Sequence, residues 1–222
     1  MLRVTGGLLA IVITGLWCNS AQALISQPVV EAEGLGPKRA SIIWDVPSEA
    51  TGDKAIVSWQ LQLADNLSFS DATTLTYAAA TITTELTRDN GLHSIDLFYV
   101  RVKGLYADGD TSNYGSTTFY TRPGKLTGLK VKEKAATTVS VKWTKPVREA
   151  DQLHYDIKLY RIKSGGKKKL VAEDDVYGIN NAQFTGLAPN KTRYAFKVRA
   201  RHDSKYGTGK WSDVKYFRTA TN

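Results

Sequence analysis

One cysteine, Cys18, is all the thiol chemistry in the 222 residues. A single thiol closes no disulfide within a chain and assembles no thiolate metal site. The imidazoles are as sparse: His93, His154 and His202 are the only three, and no two stand at the spacing that would set a metal-binding pair on one strand. A glycine-rich phosphate loop, a nucleophile elbow and a carboxylate pair spaced for glycoside hydrolysis are all missing. These absences predict a chain that is not an enzyme and holds neither cofactor nor metal. Long hydrophobic runs are lacking too, since Leu8–Leu16 falls short of the ~20 residues a membrane helix needs.

That short run has a different use. Arg3 precedes it, and Ala21-Gln22-Ala23 follows with small residues at both positions a signal peptidase reads. The pattern predicts a signal peptide over residues 1–23, cleaved after Ala23, and a secreted, periplasmic or cell-surface product. Cys18 offers a lipid-anchor alternative, but bulky Trp17 stands before it, where such processing wants a small residue. Cleavage after Ala23 removes the only cysteine, so stability must come from packing alone.

Two segments, Ala40-Ser-Ile-Ile-Trp-Asp-Val-Pro47 and Thr138-Val-Ser-Val-Lys-Trp-Thr-Lys-Pro146, repeat one pattern with their tryptophans, Trp44 and Trp143, 99 residues apart. Each is a strand whose apolar side chains alternate inward. Val57, Trp59, Leu61 and Leu63 alternate with polar residues, as do Phe98, Val100 and Val102. The second repeat matches with Tyr155, Ile157 and Leu159, and then with Tyr194, Phe196, Val198 and Ala200. Turn signals such as Asp89-Asn90-Gly91 and Ser164-Gly165-Gly166 separate them, and no helical periodicity is sustained. The chain is therefore expected to be all-β, with a unit at 24–121 and another at 122–222.

About seven short strands per unit is the expectation for an immunoglobulin-like sandwich, and here the residues resemble tandem fibronectin type III modules. In the second repeat the resemblance rests on Trp143, Tyr155, Leu187-Ala188-Pro189 leading to Tyr194, Val198, Ala200 and Thr219. It implies that Tyr194 is a tyrosine corner, whose hydroxyl bonds nearby backbone. The first repeat departs from the pattern, with Phe98 at the corner and Ser94 for the usual proline. Thr121-Arg122-Pro123-Gly124 marks the junction, too short and too stiff at Pro123 for independent beads.

Charge separates the halves. Residues 24–122 carry 7 Lys/Arg against 12 Asp/Glu, a net of −5, while residues 123–222 carry 22 against 9, a net of +13. The second half should therefore favour polyanions. If its third, sixth and last strands share a sheet, as the resemblance implies, Lys158, Tyr160, Lys197, Arg199, Arg201, Tyr216 and Arg218 project from one face, with Lys167, Lys168 and Lys169 on the loop beside it. Arginine forks and lysine ammonium groups interleaved with aromatics suit a sulfated or uronic glycan or an anionic surface polymer, with nucleic acid the least favoured anion. A solvated, lysine-rich strand surface is the plain alternative.

Val198-Arg199-Ala200-Arg201 followed by Gly207-Thr-Gly-Lys-Trp-Ser-Asp213 also resembles the membrane-proximal module of cytokine receptors. That resemblance implies that Trp211 stacks across Arg199 or Arg201 as a structural ladder. Only the first Trp-Ser is present. Asp108-Gly109-Asp110-Thr111-Ser112-Asn113 is a weak match to a calcium loop and reads better as a solvated turn. Ala107-Asp108-Gly109-Asp110 lacks the arginine of an integrin motif. Asn66-Leu67-Ser68 and Asn190-Lys191-Thr192 are glycan acceptors in a eukaryotic host. The functional expectation is a non-enzymatic binding or adhesion protein. Its alternatives are a protein-interaction spacer or an accessory subunit of an extracellular polysaccharide-degrading system.

Overall fold

The computed structural model describes residues 26–48, 50 and 52–221. The expected signal peptide and Cys18 lie outside the described residues. Seven strands build the first half: β1 (Val30–Glu33), β2 (Arg39–Trp44), β3 (Ile56–Ala64), β4 (Thr73–Ala78), β5 (Thr83–Thr87), β6 (Leu97–Tyr106) and β7 (Gly115–Tyr120). Eight follow: β8 (Lys130–Lys134), β9 (Val139–Lys142), β10 (His154–Ile162), β11 (Lys168–Tyr177), β12 (Asn181–Phe184), β13 (Arg193–His202), the two-residue β14 (Gly207–Thr208) and β15 (Lys215–Arg218). They pair antiparallel into four sheets, β1-β2-β5 against β4-β3-β6-β7, then β8-β9-β12 against β11-β10-β13-β15, with β14 also on β13. The protein is two β-sandwiches in tandem.

Alternation explains which side chains meet between the sheets. Ala40, Ile42 and Trp44 point inward from β2, where Trp44 lies edge-on to Trp59 at 6.0 Å and tilted against Tyr77 at 5.8 Å. The second core gathers Val139, Val141, Trp143, Tyr155, Ile157, Leu159, Phe196 and Val198. One residue departs from its expected phase. Val57 should point inward but is exposed, because the β3–β6 register slips between Ile56 and Ser58 and the bulge turns Val57 out.

The corners show what a substitution changes and what it keeps. Tyr194 accepts a hydrogen bond from Ala188 N through its hydroxyl at 2.8 Å and stacks on Phe217. In the first sandwich Phe98 stacks on Phe119 in the same way but has no hydroxyl. A second anchor persists in both units. Buried Thr219 donates through Oγ1 to Ala188 O, and buried Thr121 donates to His93 O while accepting from Asp96 N. The threonine staple holds the loop where the phenol is absent.

Tyr155, fully buried, donates its hydroxyl to Ala150 O at 2.9 Å. Burial, with Asp151 nearby, pushes its phenol up to about 12 from an ordinary 10.0. A folded-state pKa above the unfolded one contributes stability that is complete below pH 10.0 and is lost as pH rises toward about 12. Alkaline unfolding of the second sandwich should steepen across that window. Tyr155→Phe should flatten that limb while losing about 1 kcal/mol at neutral pH with the hydrogen bond. An alkaline limb identical in wild type and variant would contradict this.

The junction is packed rather than free. Between β7 and β8, Thr121, Pro123 and Leu126 are buried, Arg122 N bonds Gly36 O, and Thr144 N bonds Thr127 O. Gly209 passes so close that a Cβ there would lie 2.7 Å from Pro123 O. Tyr120 meets Tyr206 edge-on at 5.2 Å, and Arg148 of the second sandwich bonds Asp96 of the first. Ile95 makes the firmest contact. It belongs by sequence to the first unit, yet its side chain is 1% exposed and sits in the second unit's core cluster. Its φ of +62° is a left-handed conformation rare for a β-branched residue. Such strain persists only where surrounding structure over-determines it.

Candidate anion-binding face

The outer face of β11-β10-β13-β15 holds most of the expected site. Antiparallel register sets Asp156 opposite Arg199, Lys158 opposite Lys197, and Ala195 between Tyr160 and Tyr216. Strand phase alone therefore brings the cations and aromatics to one surface.

Trp211 reaches this face from the connection after β14. Its neighbour Ser212 fixes it: Ser212 N bonds Val198 O at 2.8 Å, while Ser212 Oγ accepts from Val198 N and donates to Asp213 O. The indole then lies 4.5 Å from both the Arg199 guanidinium and the Lys197 ammonium, with Lys158 at 5.6 Å. Lys197 also approaches Tyr160 at 5.7 Å. Nearer the far edge, the Tyr216 ring meets Arg193 at 4.9 Å and Lys168 at 5.9 Å. Each exposed cation–π contact contributes about 0.5–1 kcal/mol, so the ladder orders the face without consuming the cations' charge.

Carboxylates divide this set. Arg199 Nε bonds Asp156 at 2.7 Å, and Arg201 Nε bonds the other oxygen of the same carboxylate at 2.8 Å. Arg201 also bonds Asp175 and Asp203, while His154 bridges those two aspartates at 3.0 and 3.3 Å. The Asp156 bond, reinforced by Asp175, raises the Arg201 pKa further, and Glu173, 2.8 Å from Lys158, does the same for that lysine. Arg201 is thus embedded in a local acid cluster, Arg199 and Lys158 are paired, and Trp211 stacks on Arg199 rather than Arg201.

The other members keep their charge free. Among the described residues no carboxylate lies within ion-pair distance of Lys167, Lys168, Lys169, Arg193, Lys197 or Arg218. Lys167 follows the turn before β11 and Lys168 and Lys169 begin that strand, all three exposed. Arg218 stands opposite Arg193 in the register and donates to Lys191 O. Arg193 is a member that the sequence pattern did not single out, although extending the β13 alternation one step before Tyr194 places it on the outer face.

The first sandwich carries an unforeseen ladder of its own. Arg101 lies 4.1 Å from Phe69 and 4.2 Å from Tyr114, Lys103 joins Tyr114 at 5.1 Å, and Arg101 Nε bonds Gln62. Ser112 repeats the Ser212 device, with Oγ accepting from Gly104 N and donating to Asn113 O. The two serines are separated by 100 residues in a chain of duplicated strands. Nearby, the Lys54 ammonium binds both Asp108 and Asp110 at 2.5 Å. That bond holds Asp108 below its ordinary pKa and fills with a side chain the place a cation would take in the turn.

Residues 123–217 match the family described as "Fibronectin type III domain". Among solved structures, the two fibronectin type-III domain segment from chicken tenascin matches at 15% identity and a TM-score of 0.52, covering 87% of this chain and all of that one. The FN1–FN3 domains of chicken CNTN1 match at 16% identity over 88% of this chain and 68% of theirs, with a TM-score of 0.38. Comparison with curated protein sequences finds no match. The second sandwich is a fibronectin type III domain, and the tandem shares the fold of the tenascin segment. Modules of this kind generally bind, adhere or space, and are generally not enzymes.

Proposed function

We propose that the chain, freed of residues 1–23, is a secreted or cell-surface binding protein of two modules, 24–121 and 122–222. Its second module engages a polyanionic glycan or surface polymer. The observation that carries this reading is the distribution of free charge. Lys168, Arg193 and Lys197 stand beside exposed Tyr216 and half-buried Tyr160, Lys168 and Arg193 toward the end of the face away from the acid cluster, with Lys167, Lys169 and Arg218 carrying further unpaired charge. Tyr160 and Tyr216 offer flat apolar surface of the kind on which a sugar ring rests, and the cations supply the counter-charge. Arg199, Arg201 and Lys158, already paired, brace the face.

On a heparin-type matrix, Lys168→Glu with Lys197→Glu should elute at clearly lower salt than wild type. Lys130→Glu with Lys132→Glu, an equal charge change on the opposite sheet, should shift elution much less. Co-elution of wild type and the face variant would remove the proposal. A protein-spacer reading is favoured by one feature, the edge strand β4. It pairs only with β3 and lies in a segment from Ala72 to Thr84 without a charged residue. Retention that ignores salt would favour that reading.

A further inference from the structure

We infer that the cleft between the two sandwiches is a second, separate ligand site, and that it takes a small acidic sugar, carboxylated or sulfated. The cleft holds about 580 Å³. That lies within the range of about 300–1,000 Å³ usual for small-molecule sites, which favour domain interfaces. Lys38 and His93 enter it from the first sandwich, Lys125 from the junction, and Lys145 and Arg148 from the β9–β10 connection. Among the described residues no carboxylate lines it. Ser94, Thr127 and Thr144 place hydroxyls among the lysines, Arg148 and His93 face Asp96, and Leu126 and Pro146 supply apolar surface. Cations, neutral hydroxyls and an apolar wall together suit an acidic sugar better than a bare inorganic ion.

Two facts make the site ready to bind. The joint that forms it is fixed, by Ile95 in the second core and by the Arg148–Asp96 bond across the sandwiches, so the cleft exists before a ligand arrives. Its lysines are held loosely. Lys125 pairs with Asp213 and Lys145 with Asp151, but those aspartate side chains are 92% and 84% exposed. Pairs so open to water contribute about 0–1 kcal/mol, and a ligand anion can draw the lysines from them. Lys38 has no carboxylate partner among the described residues. This site shares no residue with the outer face of the second sandwich, so neither inference depends on the other.

The test is titration of the two-sandwich protein with a sulfated disaccharide and, separately, with inorganic sulfate, followed by amide NMR. The disaccharide should shift His93, Ser94, Thr127 and Thr144 and bind at least tenfold tighter than sulfate. Lys38→Ala with Lys145→Ala should weaken it tenfold or more, whereas Lys130→Ala with Lys132→Ala, on β8, should leave it unchanged. Both pairs are surface lysines, and an unchanged melting transition shows that the fold is kept. No shift at those four residues with millimolar disaccharide, affinity no better than sulfate's, or equal affinity in the cleft variant would overturn the inference.

Discussion

Trp143→Ala should unfold the second sandwich at denaturant concentrations the wild type withstands, while the first sandwich stays folded. Trp143 is 1% exposed, its ring lies 5.5 Å from Tyr155, and its backbone is pinned on both sides by Asn180. Truncating such a residue costs about 3–5 kcal/mol, a large share of the roughly 5–15 kcal/mol that holds a domain. Hydrogen exchange reads the effect unit by unit: protection at Phe196 and Val198 should collapse, and protection at Val100 and Val102 should not. Trp143→Phe separates packing from polarity. The indole Nε1 is buried with no hydrogen-bond partner, so phenylalanine removes an unsatisfied donor along with part of the ring. Its loss should be well under half that of alanine. Equal losses would contradict this account of the core.

Ile95→Asp should separate the two sandwiches without unfolding either. The wild-type side chain fills a place in the second unit's core cluster from a backbone held at φ +62°. Aspartate tolerates that conformation better than isoleucine does, so backbone strain is eased while a charge is set against the second unit's apolar core cluster. Leaving a charge buried without a partner costs several kcal/mol, and parting the sandwiches avoids that cost. NMR should then show two bodies tumbling independently, with the Tyr120 and Tyr206 rings no longer touching. Rings that still touch, with a single rotational diffusion tensor for both sandwiches, would mean that Ile95 is not the anchor.

Periodicity is what made the fold legible in the sequence. Inward residues of a sandwich must alternate, so Trp44, Trp59, Trp143, Tyr155 and Tyr194 can be placed from phase alone, and all five are buried. Where a backbone irregularity intervenes, phase misleads. Val57 points outward because of a bulge that no residue type announces. Ile95 could not be read either, since its partners lie across a joint and its conformation is one isoleucine disfavours. On the functional face, register brought the expected cations together, because strand phase is local. Which of them are free was not legible. Asp156 lies two residues from Lys158 and Asp203 two from Arg201, but Asp175 reaches Arg201 only through the pairing of β10 with β11 and β13. Net charge counts all these cations alike; geometry separates those that brace from those that remain free.

The most direct test is the affinity of the full protein for a sulfated polysaccharide across a series of salt concentrations. An electrostatic site should lose affinity steadily as salt rises, since exposed charges are screened within about 8 Å at physiological ionic strength. Replacing Lys168, Arg193 and Lys197 together by glutamate should weaken the affinity at least tenfold and flatten its salt dependence. Binding that ignores salt, or that the triple replacement leaves unchanged, would contradict the account.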